Sequence, residues 1–151
     1  MKKALIVEDQ NYTAVFVKRA LTKEFGFNVQ IAENGKDGLV KYAAFKPDII
    51  FLDVSMPEMN GLDFIKYLRN TFHDTSTYVV IMTAISDKNL VGKFIEFKIL
   101  DYILKPLDYS GLVERLKKIF EKIPNFLPVV ETKEEDKSKP EEKKSDKYNP
   151  E

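Results

Sequence analysis

Apolar residues gather in five short runs along the first two thirds of the chain, at positions 4–7, 28–32, 49–52, 78–82 and 102–104. They are rich in Ile, Val, Phe and Tyr, which favour strands over helices. Short runs with apolar residues on both faces are typical of strands inside a parallel sheet, where each face is covered by helices. The pattern therefore predicts five buried strands.

Each of these runs is followed by a stretch with apolar residues at helical spacing. The apolar and small positions are 14, 17, 21 and 25, then 38, 39, 42 and 43, then 62, 65 and 68, then 90, 94 and 97, and finally 112, 116, 119 and 120. Gly26 is expected to close the first helix, Pro47 follows the second, and Pro124 stops the fifth. Strict alternation of strand and helix predicts an α/β fold, a doubly wound parallel sheet with right-handed crossovers and helices on both faces.

Composition narrows the functional classes. The chain has 151 residues, one ordinary domain, and 24 basic residues balance 24 acidic ones. It contains no cysteine, which excludes disulfide scaffolds, thiolate zinc sites and cysteine nucleophiles. No apolar stretch has the length of a signal peptide or a membrane span, and the zero net charge gives no electrostatic case for nucleic acid or an anionic membrane, so we expect a cytoplasmic protein without a membrane or nucleic-acid partner. The only histidine, His73, lies in a polar stretch and is expected to be exposed, which argues against the chain being a histidine kinase.

The polarity of the chain changes near its C-terminus. Residues 131–151 carry eight acidic and six basic side chains and a single apolar one, Tyr148. Such a segment cannot bury enough apolar surface to offset the entropy of ordering. We therefore expect a folded domain at 1–123 and a polar, disordered tail at 124–151.

Chemically active side chains cluster where the predicted strands end. Glu8 and Asp9 follow the first strand, Asp53 ends the third, Thr83 follows the fourth and Lys105 follows the fifth. Each alone has an ordinary explanation as a helix cap, a turn residue or a solvated charge. Doubly wound sheets, however, carry their functional site outside the carboxyl ends of the strands, where all five residues would meet.

Three neighbouring carboxylates repel one another unless a cation is present. Oxygen ligands favour a hard divalent ion, magnesium or calcium, over zinc. A carboxylate can attack a phosphoryl group, while a metal ion, an ammonium and a hydroxyl neutralise the phosphoryl oxygens. Asp53 is the natural acceptor in this arrangement, Lys105 the fixed cation and Thr83 the hydrogen-bond donor.

Five ordered segments resemble the response-regulator receiver family of two-component signalling: LIVED at 5–9, LDVSMP at 52–57, MNGL at 59–62, MTA at 82–84 and DYILKP at 101–106. The resemblance extends from residue 1 to about 123. It implies a five-stranded sheet of flavodoxin-like strand order 2-1-3-4-5.

The resemblance also implies residue roles. Asp53 would accept a phosphoryl group from a histidine of a sensor kinase or of a histidine phosphotransfer protein. Asp9, Asp53 and the backbone carbonyl of Ser55 would bind Mg²⁺ or Mn²⁺ directly, and Glu8 would act in the metal site through water. The chain would assist its own phosphorylation and dephosphorylation without being a separate enzyme.

A switch is implied as well. Thr83 and Lys105 would contact the phosphoryl group, the peptide bond between Lys105 and Pro106 would be cis, and Tyr102 would turn inward as Thr83 moves. The face formed by the fourth helix, fifth strand and fifth helix would change shape and bind an unidentified downstream protein.

Three residues depart from the family pattern. Lys98 and Ile99 stand where members often have Gly-Ala, and their bulk would alter how the fourth helix moves. Ile85, two residues after Thr83, replaces a polar side chain near the hydrolytic water. Because isoleucine cannot bind water and Ser55 does not compensate, we expect slow self-dephosphorylation; simple packing of Ile85 on the next helix is an equal alternative.

Several outputs remain open. We favour a stand-alone regulator over a phosphorelay intermediate or the receiver fragment of a longer regulator, in which 131–151 would be a linker. An aspartyl-phosphate phosphohydrolase would need a second acid where this chain has Ser55. A flavodoxin-like redox carrier would need a phosphate-binding loop where Glu8 and Asp9 stand.

Overall fold

The chain folds around a five-stranded parallel sheet with strand order β2-β1-β3-β4-β5, which confirms the predicted architecture. The computed structural model describes residues 1–127, apart from the side chains of Ile85 and Lys88. The strands are β1 (Lys3–Val7), β2 (Asn28–Ala32), β3 (Ile49–Asp53), β4 (Tyr78–Ala84) and β5 (Asp101–Lys105).

Helical segments connect the strands in the predicted alternation. They are α1 (Asn11–Phe25), α2 (Gly35–Phe45), α3 (Gly61–Lys66) with a π-helical turn directly after it (Tyr67–Thr71), a 3₁₀ segment (Ile85–Phe97) and α4 (Tyr109–Glu121). The 3₁₀ segment is the fourth helix of the sequence prediction, and α4 is the fifth.

Helix boundaries follow from local capping chemistry. Gly26 ends α1 as predicted, in the left-handed conformation with φ of 72°, and its N–H bonds the carbonyls of the last turn. Asn34, Asn60 and Asp108 precede α2, α3 and α4, and each side chain accepts a hydrogen bond from a backbone N–H of the first turn. These acceptors satisfy N–H groups that a helix leaves without internal partners.

Both faces of the sheet are buried, as the continuous apolar runs predicted. Ile6, Phe51 and Met82 point to the side covered by α1 and α4. Leu5 and Leu52 point to the other side, which is covered by α2, α3 and the 3₁₀ segment. The alternation of side chains along each strand thus divides the core into two layers.

Four of the five strands are longer than predicted, and the extensions of β4 and β5 change where two site residues lie. Thr83 pairs with Leu104, and Ala84 pairs with Lys105, in the register of β4 and β5. Thr83 and Lys105 therefore lie within strands, whereas the sequence prediction put them after the strand ends. Backbone pairing continues here past the apolar run, and this fixes both side chains more firmly than a loop would.

The fourth helix has 3₁₀ geometry instead of α geometry. Its apolar residues Leu90, Phe94 and Phe97 are three or four positions apart, a spacing common to both helix types. The pattern therefore predicted a helix but not its hydrogen-bonding class. The segment ends at Lys98, which has a positive φ of 60°.

The described chain continues past α4 into the core. Phe126 is buried against Phe27 and Phe120, with ring centroids 6.0 and 5.6 Å away. The predicted disordered tail begins at residue 124, and its residues 128–151 lie outside the described part of the structure. Among residues 1–127, no helix has the length and apolar character needed to cross a bilayer.

Candidate functional site

Three carboxylates meet at the carboxyl edge of the sheet. Glu8 and Asp9 follow β1, and Asp53 is the last residue of β3, the strand that pairs with β1. One carboxylate oxygen of each lies within 4.8 Å of the others. Glu8 and Asp53 are buried, with 1% and 4% of their surface exposed, whereas Asp9 is open to solvent. The structure therefore brings the three predicted carboxylates together.

Lys105 reaches into the cluster from β5. Its Nζ donates to Oε1 of Glu8 at 3.0 Å and to Oδ1 of Asp53 at 3.2 Å. Burial alone would lower the pKa of Lys105, but the two carboxylates raise it further than burial lowers it. The ammonium is therefore held in its charged form beside Asp53.

The pKa of Asp53 is shifted mainly by burial and next by the neighbouring carboxylate of Glu8. Desolvation and the neighbouring Glu8 carboxylate raise the pKa of Asp53 to about 7, although Lys105 opposes them. Three carboxylates face one ammonium, so the site carries excess negative charge. A donor set made only of oxygens, with excess negative charge, fits a hard divalent cation.

Thr83 lies beside the cluster, on the strand next to Asp53. It is buried, and the residue before it, Met82, pairs with Asp53 in the sheet. Its Oγ1 donates to the carbonyl of Ala84 at 3.2 Å. The hydroxyl is thus engaged with its own backbone, one residue along β4 from the partner of Asp53.

The loop after β3 carries Ser55, whose side chain is exposed and donates to Oδ2 of Asp87 at 3.4 Å. Asp87 belongs to the first turn of the 3₁₀ segment, and sequence reasoning did not include it in the site. No motif marked it, because the contact depends on how closely that turn approaches the loop.

This loop is held tightly against β3. The N–H of Gly61 donates to the carbonyl of Val54 at 3.0 Å, and the N–H of Val54 donates to the carbonyl of Met82 at 3.0 Å. A Cβ on Gly61 would lie only 2.5 Å from the carbonyl oxygen of Asp53. Glycine at this position lets α3 begin directly against the backbone of Asp53.

The remaining predicted residues lie around the site. Tyr102 on β5 is 37% exposed and faces outward, and the peptide bond between Lys105 and Pro106 is cis. The side chain of Ile85 lies outside the described part of the structure, so its predicted role has no structural test. His73 is exposed, as predicted.

A cavity of about 760 Å³ opens beside Asp53, between α1 and the loop that follows β5. Phe16, Met82, Ile103 and Tyr109 form much of its apolar wall. Asp53 and Lys105 also line it, so the carboxylate is reached from a largely apolar surface.

A doubly wound parallel sheet with this strand order belongs to the flavodoxin-like class of α/β proteins. Within that class, the family model described as response regulator receiver domain matches residues 4–117. The chain therefore belongs to the response-regulator receiver family of two-component signalling, which confirms the resemblance seen in its motifs.

Individual relatives agree with this assignment. The chain is 35% identical over 119 residues to the chemotaxis protein CheY of Thermotoga maritima, an alignment covering 78% of this chain and 97% of that protein. It is 36% identical over 124 residues to the response regulator ArlR of Staphylococcus aureus, covering 82% of this chain but 55% of that protein. The receiver domain of AraT from Geobacillus stearothermophilus superposes with a TM-score of 0.70 at 29% identity, covering 81% of this chain and 95% of that domain.

Proposed function

We propose that this chain is a phosphoryl-accepting switch in which Asp53 takes a phosphoryl group from a histidine of a sensor kinase or of a histidine phosphotransfer protein. The observation that carries the proposal is the contact of Lys105 with both Asp53 and Glu8, beside the exposed carboxylate of Asp9. It puts an acceptor, a fixed cation and a cluster of oxygen ligands in one place.

Mg²⁺ or Mn²⁺ fits this donor set. Asp9, Asp53 and the backbone carbonyl of Ser55 would hold the ion directly, and the buried carboxylate of Glu8 would act through water. When bound, the ion would supply positive charge against the phosphoryl oxygens. The crowding of Glu8 against Asp53 supports this assignment, because a cation relieves the repulsion between carboxylates.

In the transfer, a carboxylate oxygen of Asp53 attacks the phosphorus atom, the bond from phosphorus to the donor's imidazole nitrogen breaks, and the imidazole leaves. Lys105 is already beside Asp53 and neutralises charge on the phosphoryl oxygens. Thr83 must give up its hydrogen bond to the carbonyl of Ala84 before its hydroxyl can donate to the phosphoryl group. That exchange links the chemistry of the site to the conformation of the end of β4.

The output would be a change of the face formed by the 3₁₀ segment, β5 and α4, with Tyr102 moving inward toward Thr83 and a downstream protein binding the altered face. Self-dephosphorylation would be slow, because Ile85 offers no hydrogen bond to water. Tyr102 is on β5, the strand that ends at Lys105, so the switch residue and the site share one element.

We favour a stand-alone cytoplasmic regulator with a domain at 1–123 and a polar tail, and the 97% coverage of CheY supports this. A receiver that forms part of a longer regulator is the second candidate. The alignment to 55% of ArlR favours it, since that relative continues well beyond the matched region.

Intact-mass analysis after incubation with acetyl phosphate and magnesium tests the proposal. We expect the wild-type chain to gain one phosphoryl group, Asp53→Asn to gain none, and Asp37→Asn to behave as the wild type, because Asp37 lies on α2 and pairs with Lys41. The proposal is wrong if the wild type gains no mass while folded and magnesium-bound, or if Asp53→Asn gains as much as the wild type.

A further inference from the structure

Arg115, on α4, makes three contacts with the start of β5. One terminal nitrogen, Nη2, donates to Oδ1 of Asp101 at 2.7 Å and to the carbonyl of Tyr102 at 2.7 Å. The guanidinium carbon also lies 5.8 Å from the centroid of the Tyr102 ring. A single side chain therefore binds the backbone of Tyr102, covers its ring and pairs with the preceding residue.

Asp101 fixes the position of this arginine. Its carboxylate is buried and also accepts a hydrogen bond from Nζ of Lys122 at 2.5 Å and one from the N–H of Tyr102 at 2.8 Å. Burial by itself would raise the pKa of Asp101, but the hydrogen bonds from Lys122, Tyr102 and Arg115 lower it below its usual value. The carboxylate is thus ionised at neutral pH and anchors the guanidinium in one orientation.

A guanidinium that is already held in place loses little further freedom when an aromatic ring packs against it. The ring contact therefore retains most of the attraction of an arginine for an aromatic face. Tyr102 is 37% exposed in this arrangement, and Lys105, which contacts Asp53, is three residues further along the same strand.

We propose that Arg115 is a positioning residue that holds the Tyr102 ring outward and so stabilises the unphosphorylated form of the switch face. This inference rests on the proposed function for its consequence, since an inward ring matters only if the face responds to phosphorylation. A ligand or modification that favours one conformation acts more easily when contacts specific to the other are removed. Loss of the ring contact should therefore shift the outward-to-inward ratio by about two- to five-fold, as expected for an exposed cation–π pair.

The absence of tryptophan from the chain allows a direct measurement. Tyr102→Trp introduces a single tryptophan at the switch position, which can be excited selectively over the remaining tyrosines, and tryptophan forms cation–π contacts at least as well as tyrosine. The reporter would be combined with Arg115→Met and, as matched control, with Lys122→Met. Arg115→Met and Lys122→Met each remove one cationic partner of Asp101, but only Arg115→Met also removes the cation beside the ring at position 102.

We expect Arg115→Met to shift the emission of the reporter to shorter wavelength and to reduce its quenching by acrylamide, whereas Lys122→Met leaves both unchanged. Arg115→Lys keeps the charge but not the planar guanidinium, so its emission and quenching should lie between those of Arg115→Met and Lys122→Met. With native Tyr102, Arg115→Met should accept phosphoryl from acetyl phosphate about two- to five-fold faster than the wild type, because the outward form competes less.

The inference is overturned if Arg115→Met leaves the emission and the phosphorylation rate unchanged, or if Lys122→Met changes them equally. Urea denaturation confirms that each variant is folded before the comparison. If the wild-type chain accepts no phosphoryl group, the proposed function fails, while the fluorescence measurement still decides whether Arg115 holds the ring outward.

Discussion

Gly61→Ala gives the sharpest test of how the fold positions Asp53. Gly61 is the first residue of α3, and an added Cβ would lie 2.5 Å from the carbonyl oxygen of Asp53 and 3.1 Å from Cα of Val54. Both neighbours are backbone atoms, which cannot rotate away as a side chain would. The loop and the end of β3 must therefore move for the methyl group to fit.

The size of the effect follows from these distances. Cβ contacts below 3.0 Å essentially never occur, so the Asp53 carbonyl would have to retreat by roughly 0.5 Å in a close-packed interior. Overpacking of this kind costs about 1–3 kcal/mol of unfolding free energy. Displacement of the acceptor should also slow phosphorylation by roughly tenfold, since a misplacement of about 1 Å can cost a hundredfold.

Gly92→Ala is the matched control, because a Cβ there meets nothing within 4 Å. The same methyl group should stabilise the helical segment by up to about 1 kcal/mol. Urea denaturation gives the stabilities, and intact mass against time with acetyl phosphate gives the rates. If Gly61→Ala matches the wild type in both, tight packing of α3 against β3 does not position Asp53.

Three other changes have expected outcomes. Lys98→Gly should raise the free energy of unfolding, measured by urea denaturation, by roughly 1 kcal/mol, because Lys98 has a left-handed φ of 60° that costs an L-residue energy; no gain would refute this. Burial acts to raise the pKa of Asp74, but hydrogen bonds from Thr77 and Tyr42 outweigh burial and hold the pKa below its usual value. The ionised carboxylate therefore stabilises the fold fully above its unfolded pKa, and this contribution is lost as the pH falls through the folded pKa. Asp74→Asn should thus cost about 2 kcal/mol at neutral pH and flatten the acid side of the stability profile, measured by denaturation across pH. Ile85→Gln should shorten the phosphoryl lifetime, followed by mass after removal of acetyl phosphate, and an unchanged lifetime would support simple packing.

The sheet and the acidic cluster could be predicted because both depend on local patterns. A strand buried on both faces must be apolar at successive positions, and a parallel sheet brings its carboxyl ends to one edge. Glu8, Asp53 and Lys105 therefore meet although 97 residues separate the first from the last. The exact ends of β4 and β5 were not predictable, because Thr83 and Lys105 pair through backbone groups that every residue type has.

Arg69 shows what the sequence could not reveal. At the end of a short helix it has the appearance of a solvated charge, yet only 8% of it is exposed. It is buried because its guanidinium donates to three backbone carbonyls, those of Phe97 at 2.8 Å, Asp74 at 2.8 Å and Lys98 at 3.2 Å. Carbonyl positions depend on the whole fold, so no residue pattern could have indicated this site.

The contacts of Arg69 also distinguish the two ends of the 3₁₀ segment. Its C-terminal end is fixed by charge-assisted hydrogen bonds from Arg69, one buried to Phe97 and one partly buried to Lys98, and by the buried ring of Phe94. Near its N-terminal end, the described side-chain contacts include an exposed bond of Ser55 with Asp87 at 3.4 Å. Both contacts involve a charged group, but the longer, solvent-exposed bond contributes less than the shorter, buried one. Local opening should therefore begin beside Asp53 and stop short of Arg69, so that backbone amides of the 3₁₀ segment exchange with deuterium faster at its N-terminal end than at its C-terminal end; equal exchange at both ends would contradict this.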